Sequence, residues 1–429
     1  MDTKKNYAIP ILMMIIFFGM IAFVTNLAAP MGVVLKSQFG VSNTVGLLGN
    51  MANFIAYAVM GIPGGILLQK IGYKKTALLA IAFGFVGVLI QFLSGFAGQS
   101  SAMIIYLFGA FVAGFSMTLL NTVVNPMLNT LGGGGNKGNQ LIQFGDSFNA
   151  VMATVTPALV GILIGDAARA HITDVFPVMY IAMGVFAVLF FVLWAVKIPE
   201  PQAEYFSEPL GTLMSGALKF RHFVLGAIAI FMYVGVEVGT QGVLLLWLSD
   251  NPMYGAAIAG SAAASYWFLM FIGRLIGASI ASKISSKIML CVTSSVALIL
   301  IVLAIFSPES SQVTMPLFQR SDATGAISFG LAQVPINAMF IVLVGLCTSV
   351  MWGCTFNLAV EGLGKYLAVA SGIFMTMVCG GGILPGIQAW VADVAGYLPS
   401  YWIMFAGFAY LLFYALVGSK NVNKDIAVE

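Results

Sequence analysis

The chain has 429 residues, of which 60% are hydrophobic and only 8% charged, and its mean hydropathy is +1.00. A soluble domain carries about a quarter of its residues as charges, so this composition excludes a soluble fold and points to a bilayer. The net charge of +3 is accounted for by membrane sidedness and implies no nucleic-acid partner.

Apolar stretches recur along the whole length, each near the roughly 20 residues that a helix needs to cross about 30 Å of hydrocarbon. They fall at 7–35, 44–68, 76–98, 103–131, 139–166, 174–197, 222–249, 256–282, 288–307, 330–359, 366–393 and 398–418. The sequence thus predicts twelve spans. The first run exceeds a secretory apolar region of 7 to 15 residues and reads as an uncleaved helix. Pro10, Pro30, Pro157 and Pro385 lie inside spans and predict tilt, kinks or broken helix ends.

With an even count and both termini cytoplasmic, Lys and Arg fall overwhelmingly on the cytoplasmic side. Lys4, Lys5, Lys70, Lys74, Lys75, Lys137, Lys197, Lys219, Arg221, Lys283, Lys287, Lys365, Lys420 and Lys424 collect there, against Lys36, Arg169 and Arg320 opposite. The bias supports the count of twelve.

Span two ends in a Gly-rich basic loop, Gly64-Gly65-Ile66-Leu67-Leu68-Gln69-Lys70-Ile71-Gly72-Tyr73-Lys74. Gly277 to Lys287, after span eight, repeats its Gly, Lys, Ile and Lys at a constant offset. Asn125 to Gly132, ending span four, is echoed by Asn357 to Gly364, ending span ten. Such parallel repetition divides the chain into halves 1–197 and 222–429 around a cytoplasmic linker, 198–221, where Pro199, Glu200, Pro201, Glu204 and Glu208 cluster.

Asp146 in span five and Glu237 in span seven are carboxylates inside apolar stretches. Each costs roughly 3 kcal/mol or more at mid-depth, so they are read as lining a water-filled path or carrying a coupling ion. Gln143, Asp146 and Asn149 share one helix face, as do Asn121, Asn125 and Asn129. If those faces meet, amide oxygens surround a carboxylate, which suits sodium at Asp146 with Asn121 and Asn149; a proton needs the carboxylate alone. The plain alternative is interhelical glue, roughly 0.6 kcal/mol per bond.

Glu237 and Gln241, one turn apart, read as a clamp on sugar hydroxyls. The alternatives are that Glu237 is the proton site, or that it pairs with Arg274, which counts as lying nearer the cytoplasmic end of its span. Trp194, Trp247 and Trp402 belong to interfacial belts, whereas Trp267 and Trp352 lie deep, as core packing or as faces for a sugar ring. Asn26, Asn50, Asn53, Tyr57 and Asn357 extend the polar lining. With no cluster of Lys or Arg at mid-membrane, neutral polyhydroxyl substrates fit better than anions.

Other chemistry is not supported. Gly132 to Gly135 is not followed by Lys-Ser or Lys-Thr and is no phosphate loop. His171 and His222 lie in or beside loops, which leaves no zinc site or catalytic dyad. Cys291, Cys347, Cys354 and Cys379 fall inside spans as small buried residues. No cofactor beyond the coupling ion is implied, and an intramembrane enzyme using Asp146 and Glu237 is the distant alternative.

The loop and the six-plus-six repeat resemble the major facilitator superfamily. Gly65, Leu67, Lys70, Gly72, Lys74 and Lys75 match its motif, which marks Gly65, Lys70, Gly72 and Lys74 as the gating loop, while Gln69 replaces the usual acid of the interhelix clamp. Within it, Asn26-Leu27, Ile62 to Leu67, Asn125-Pro126, Tyr233-Val234-Gly235, Ile272-Gly273-Arg274 and Gly380 to Ile383 resemble the fucose/galactose/glucose symporter family.

The resemblance implies an all-α major facilitator fold in the plasma membrane, a bacterial inner membrane, working as a monomer by alternating access. It implies import of a monosaccharide with Na+ or H+; a proton-driven exporter or facilitator is the rival. Fucose/proton members carry a membrane Asp in helix one and a Glu in helix four, at positions aligned with Ala29 and Asn121, so their proton mechanism does not carry over. The sugar is expected among Asn26, Gln143, Asn149, Glu237, Gln241, Trp267, Trp352 and Asn357.

Overall fold

The structure, a computed structural model, describes residues 7–40, 48–164, 171–200, 209–320, 327–423 and 426. Lys4, Lys5, Arg169, Pro201, Glu204, Glu208 and Lys424, and the side chains of Ala29, Pro30, Lys36, Asn50, Pro157 and Arg320, lie outside the described residues.

Among the described residues, ten helical stretches are long and apolar enough to cross a membrane. Met51–Ser94 is two spans joined across Gly72, which departs from helical geometry. Gly135–Ile164, diluted by its polar face, supplies the twelfth. Span one is Ala8–Phe39; spans two and three are 48–71 and 73–94, the parts of Leu48–Ser94 before and after Gly72; span four is Gln99–Leu131; span five is Gly135–Ile164; span six is Phe176–Ala195. In the second half, span seven is Arg221–Asp250, span eight Gly255–Ile280 and span nine Ser286–Phe306. Span ten is split into Ile336–Thr348 and Met351–Val360, span eleven into Leu367–Thr376 and Gly380–Ala395, and span twelve opens with Tyr397–Phe413.

Two stretches depart from expectation. The linker contains a short helix, Leu210–Leu218. Residues 330–335, expected to begin span ten, instead belong to a strand, Ile327–Pro335, paired antiparallel with Gln312–Arg320. An apolar run by itself does not distinguish strand from helix. Here alternation decides: Met315, Leu317 and Val334 are buried while Thr314, Pro316 and Gln333 face outward, and Pro335 ends the strand.

The echoed loops close differently in the two halves. Gly72 has φ +82°, a conformation open to glycine. The free N–H groups of span three that follow it, those of Tyr73 and Lys74, donate to the Glu200 carboxylate at 2.6 and 3.0 Å. The equivalent position in the second half is Ser285, whose hydroxyl accepts from Ile288 N–H at 3.3 Å. One half caps its helix from a distant linker, the other from its own side chain. Lys74 Nζ also donates to the Trp194 and Val196 carbonyls at the end of span six, where a cation suits the negative end of the helix dipole. Spans three and six are therefore tied by charged side chains acting on backbone groups, Glu200 on N–H groups and Lys74 on carbonyls.

Candidate functional site: a polar floor between the two halves

The halves meet toward the Lys- and Arg-rich side. Asn129 donates to Asn357 at 2.7 Å, Trp352 Nε1 to Asn125 at 3.0 Å, Ser371 to the Thr122 carbonyl at 3.2 Å and Gln140 to the Ala278 carbonyl at 3.1 Å. At the break in span ten the Val350 carbonyl, which already accepts from the Cys354 N–H at 3.1 Å, also accepts from Gln143 of span five at 2.9 Å. Irregular backbone at membrane depth is tolerated where such a partner satisfies it. Span two packs on span eleven through glycines: a Cβ on Gly65 would stand 2.8 Å from Gly372 Cα. These contacts lie in the final third of spans two, four and eight, late in span ten, and in the first third of spans five and eleven. They seal the basic side as a polar floor between the two halves.

At this floor three charges converge. Asp146 and Arg274 are buried, 4% and 7% exposed. Arg274 Nη2 lies 3.4 Å from Glu237 Oε1, and Nη1 donates to the Asp146 main-chain carbonyl at 3.3 Å. Tyr233, one turn before Glu237, donates to the same Oε1 at 2.9 Å, and Tyr266 donates to the Glu237 carbonyl at 3.2 Å. Asp146 Oδ2 is buried and accepts no hydrogen bond. A buried carboxylate oxygen without a donor is a costly arrangement that a proton or cation relieves.

The pairing of Glu237 with Arg274 corrects the depth argument made from sequence. Counting residues along each helix ignores tilt and the length of an arginine side chain, and the guanidinium reaches the level of Glu237. A cation is therefore present at mid-membrane, though matched by a carboxylate. Its signal in the sequence was that Arg274 stands alone as a positive residue well inside a span.

The remaining expected residues divide by accessibility. Glu237, with a side chain 13% exposed, Gln241, Asn26 and Asn149 are half-buried, and Trp267 is 38% exposed. Trp267 lies seven residues before Arg274, two turns along one face, so it stands above the charges on the same side of span eight. Asn149 donates to the Phe18 carbonyl at 3.0 Å and holds span five to span one, and Asn26 and Gln241 donate within their own helices. Gln143, Trp352 and Asn357 belong to the floor. Trp352 packs against Tyr233 and Phe374. Both polar ends of Asn357 are engaged, accepting from Asn129 and donating to Ser286 at 2.9 Å. That makes it part of the seal between the halves.

The amide cage expected around Asp146 is not assembled. Asn121 donates to the Tyr57 hydroxyl at 2.6 Å, and Asn125 donates to Asn121 at 3.2 Å while accepting from Trp352. Their amides form a chain across spans ten, four and two. Asp146 faces a guanidinium, because span five meets span eight as well as span ten. No group of three or more His, Cys, Asp and Glu able to hold a metal ion occurs among the described residues. In the loop, Lys70 is exposed and Gly65, Gly72 and Lys74 make the contacts given above.

Comparison with known proteins agrees with this architecture. The Major Facilitator Superfamily model matches residues 11–384. The glucose/galactose transporter of Brucella abortus is 30% identical over 98% of this chain and 96% of its own. The L-fucose-proton symporter of Escherichia coli is 22% identical over 92% of this chain and 90% of its own. The solved structure of the E. coli fucose:proton symporter superposes with a TM-score of 0.80 at 19% identity, covering 97% of this chain and all of that one, a likeness of fold. Twelve spans in two halves and a family match over most of the length make this chain a multi-pass membrane protein of the Major Facilitator Superfamily.

Proposed function

We propose that the protein imports a neutral monosaccharide, a hexose such as glucose or galactose, together with a monovalent cation, by alternating access. The observation that carries the reading is the buried cluster of Asp146, Arg274 and Glu237 beside the contacts that join the two halves on the basic side. The names of its relatives supply the substrate class. The wall supplies the recognition: Glu237 and Gln241 offer acceptors and donors to hydroxyls, and Trp267 offers an aromatic face to the apolar side of a sugar ring.

Asp146 takes the coupling cation. Its partnerless oxygen is the one buried carboxylate atom of the cluster with room in its bonding for a proton or a sodium ion. Because the Asn121 and Asn125 amides are engaged elsewhere, sodium would draw further oxygens from the partnerless Gln143 Oε1 or from water, whereas a proton needs none. Reorientation breaks the bonds at the basic-side floor and re-forms contacts on the opposite side, carrying sugar and cation through.

The test is uptake of labelled glucose, galactose, mannose and fucose into proteoliposomes under an imposed sodium or proton gradient, for the wild type and Asp146→Asn. The expected result is accumulation under one of the two gradients, lost in the variant, with sugar-for-sugar exchange persisting. Proton-driven accumulation that survives the substitution moves coupling to Glu237. No uptake of any sugar under either gradient overturns the sugar assignment.

A further inference from the structure

Among the described residues, Asp146, Glu237 and Arg274 are the only Asp, Glu, Lys or Arg placed well inside the spans. They form one set. Arg274 reaches both halves at once, with Nη2 on the Glu237 carboxylate of span seven and Nη1 on the Asp146 carbonyl of span five. The other polar groups facing the set are neutral: the hydroxyls of Tyr233 and Tyr266 on Glu237, and the amide of Gln143 one turn before Asp146. Three atoms are left over, the Arg274 Nε, the Asp146 Oδ2 and the Gln143 Oε1, all buried and without a partner.

The charges do not cancel. Two carboxylates against one guanidinium leave one negative charge in a site shut off from water on the basic side. Net charge in such surroundings is the costly state, and pairing alone does not remove it. A single monovalent cation makes the set neutral, and a second would leave it positive.

We propose that Arg274 is an internal counter-charge that sets the coupling at one cation per sugar. It matches Glu237 permanently, which leaves that carboxylate to the sugar, and it confines the cation requirement to Asp146. Arg274 acts as a positioning residue, working through the two carboxylates. The proposal rests on the symport reading above and deepens it.

The experiment measures charge moved per sugar, as integrated transport current against labelled uptake of whichever hexose the proteoliposomes accumulate best. The wild type is expected to move one charge per sugar. Arg274→Lys keeps the charge and should keep that ratio. Arg274→Gln leaves the set doubly negative, and sugar exchange should fall at least tenfold. Adding Asp146→Asn to Arg274→Gln returns the set to one negative charge, and exchange should recover to within about threefold of wild type.

Recovery on removing a second polar partner is not what a purely packing role for Arg274 produces. If Arg274→Gln does not fold, the ratio in Arg274→Lys and exchange in the double variant decide. Two or more charges per sugar in the wild type, an unchanged ratio in Arg274→Gln, or a double variant no better than Arg274→Gln overturns the proposal while leaving symport standing. Absence of any sugar uptake by the wild type overturns the transport reading and this proposal with it.

Discussion

Trp267, a ring deep in span eight, and Asn357, an amide near the end of span ten, were both expected to touch sugar, and the structure separates them. Trp267 stands 38% exposed two turns above Arg274, whereas Asn357 is 6% exposed with both ends bonded. Trp267→Ala should therefore weaken sugar binding by about 1 kcal/mol, a roughly fivefold rise in KM with little change in maximal rate. Asn357→Ala should leave KM near wild type and change the rate. Initial-rate uptake over a sugar concentration series separates the two, and a KM effect confined to Asn357 would place the sugar lower than argued.

At the scale of elements, helix ends carry much of the specificity. Span three has no capping side chain of its own, since Gly72 precedes it, and the Glu200 carboxylate supplies the cap from the linker after span six. Span nine caps itself with Ser285. Glu200→Gln should cost about 1 kcal/mol, the usual worth of a cap with a favourable dipole contact, and Ser285→Ala about the same. For a chain of this size that is a shift of roughly 1–2 °C in the thermal midpoint of the detergent-solubilised protein. An unshifted midpoint in Glu200→Gln would mean that the linker contact does not hold the first half together. At the break in span ten, the Val350 carbonyl that starts the second helical piece by accepting from Cys354 N–H is also where Gln143 of the other half binds.

At the scale of the whole molecule, the closed basic side is held by bonds of modest strength. Each hydrogen bond between membrane helices contributes roughly 0.6 kcal/mol, so no single bond locks the floor and several together set the balance between its states. Asn129→Ala with Asn357→Ala removes their mutual bond and should shift that balance about threefold toward opening on the basic side. Distances between spin labels at Lys137 and Lys365, one in each half, should then show a larger population of long separations. An unchanged distribution would remove the Asn129 and Asn357 pair from the seal. On the proposed reading, sugar and cation act on the same balance by binding one side of it, which would carry local charge at Asp146 to the far ends of the helices.

Composition, hydrophobic length and the bias of Lys and Arg determined by themselves that the chain is a membrane bundle of twelve spans in two repeated halves, because span length and charge placement are imposed by the bilayer residue by residue. The polar residues that matter were also visible, since an Asp, Glu or Arg inside a span is too costly to be incidental. What their sequence positions did not contain was the partner of each. Asn121 meets Tyr57, Asn129 meets Asn357, and Arg274 meets both Glu237 and Asp146. Those pairings depend on helix tilt, on the closeness that Gly65 and Gly372 allow between spans two and eleven, and on which end of the molecule is closed. All three are set by contacts between residues distant in the chain, so only the tertiary structure decided them.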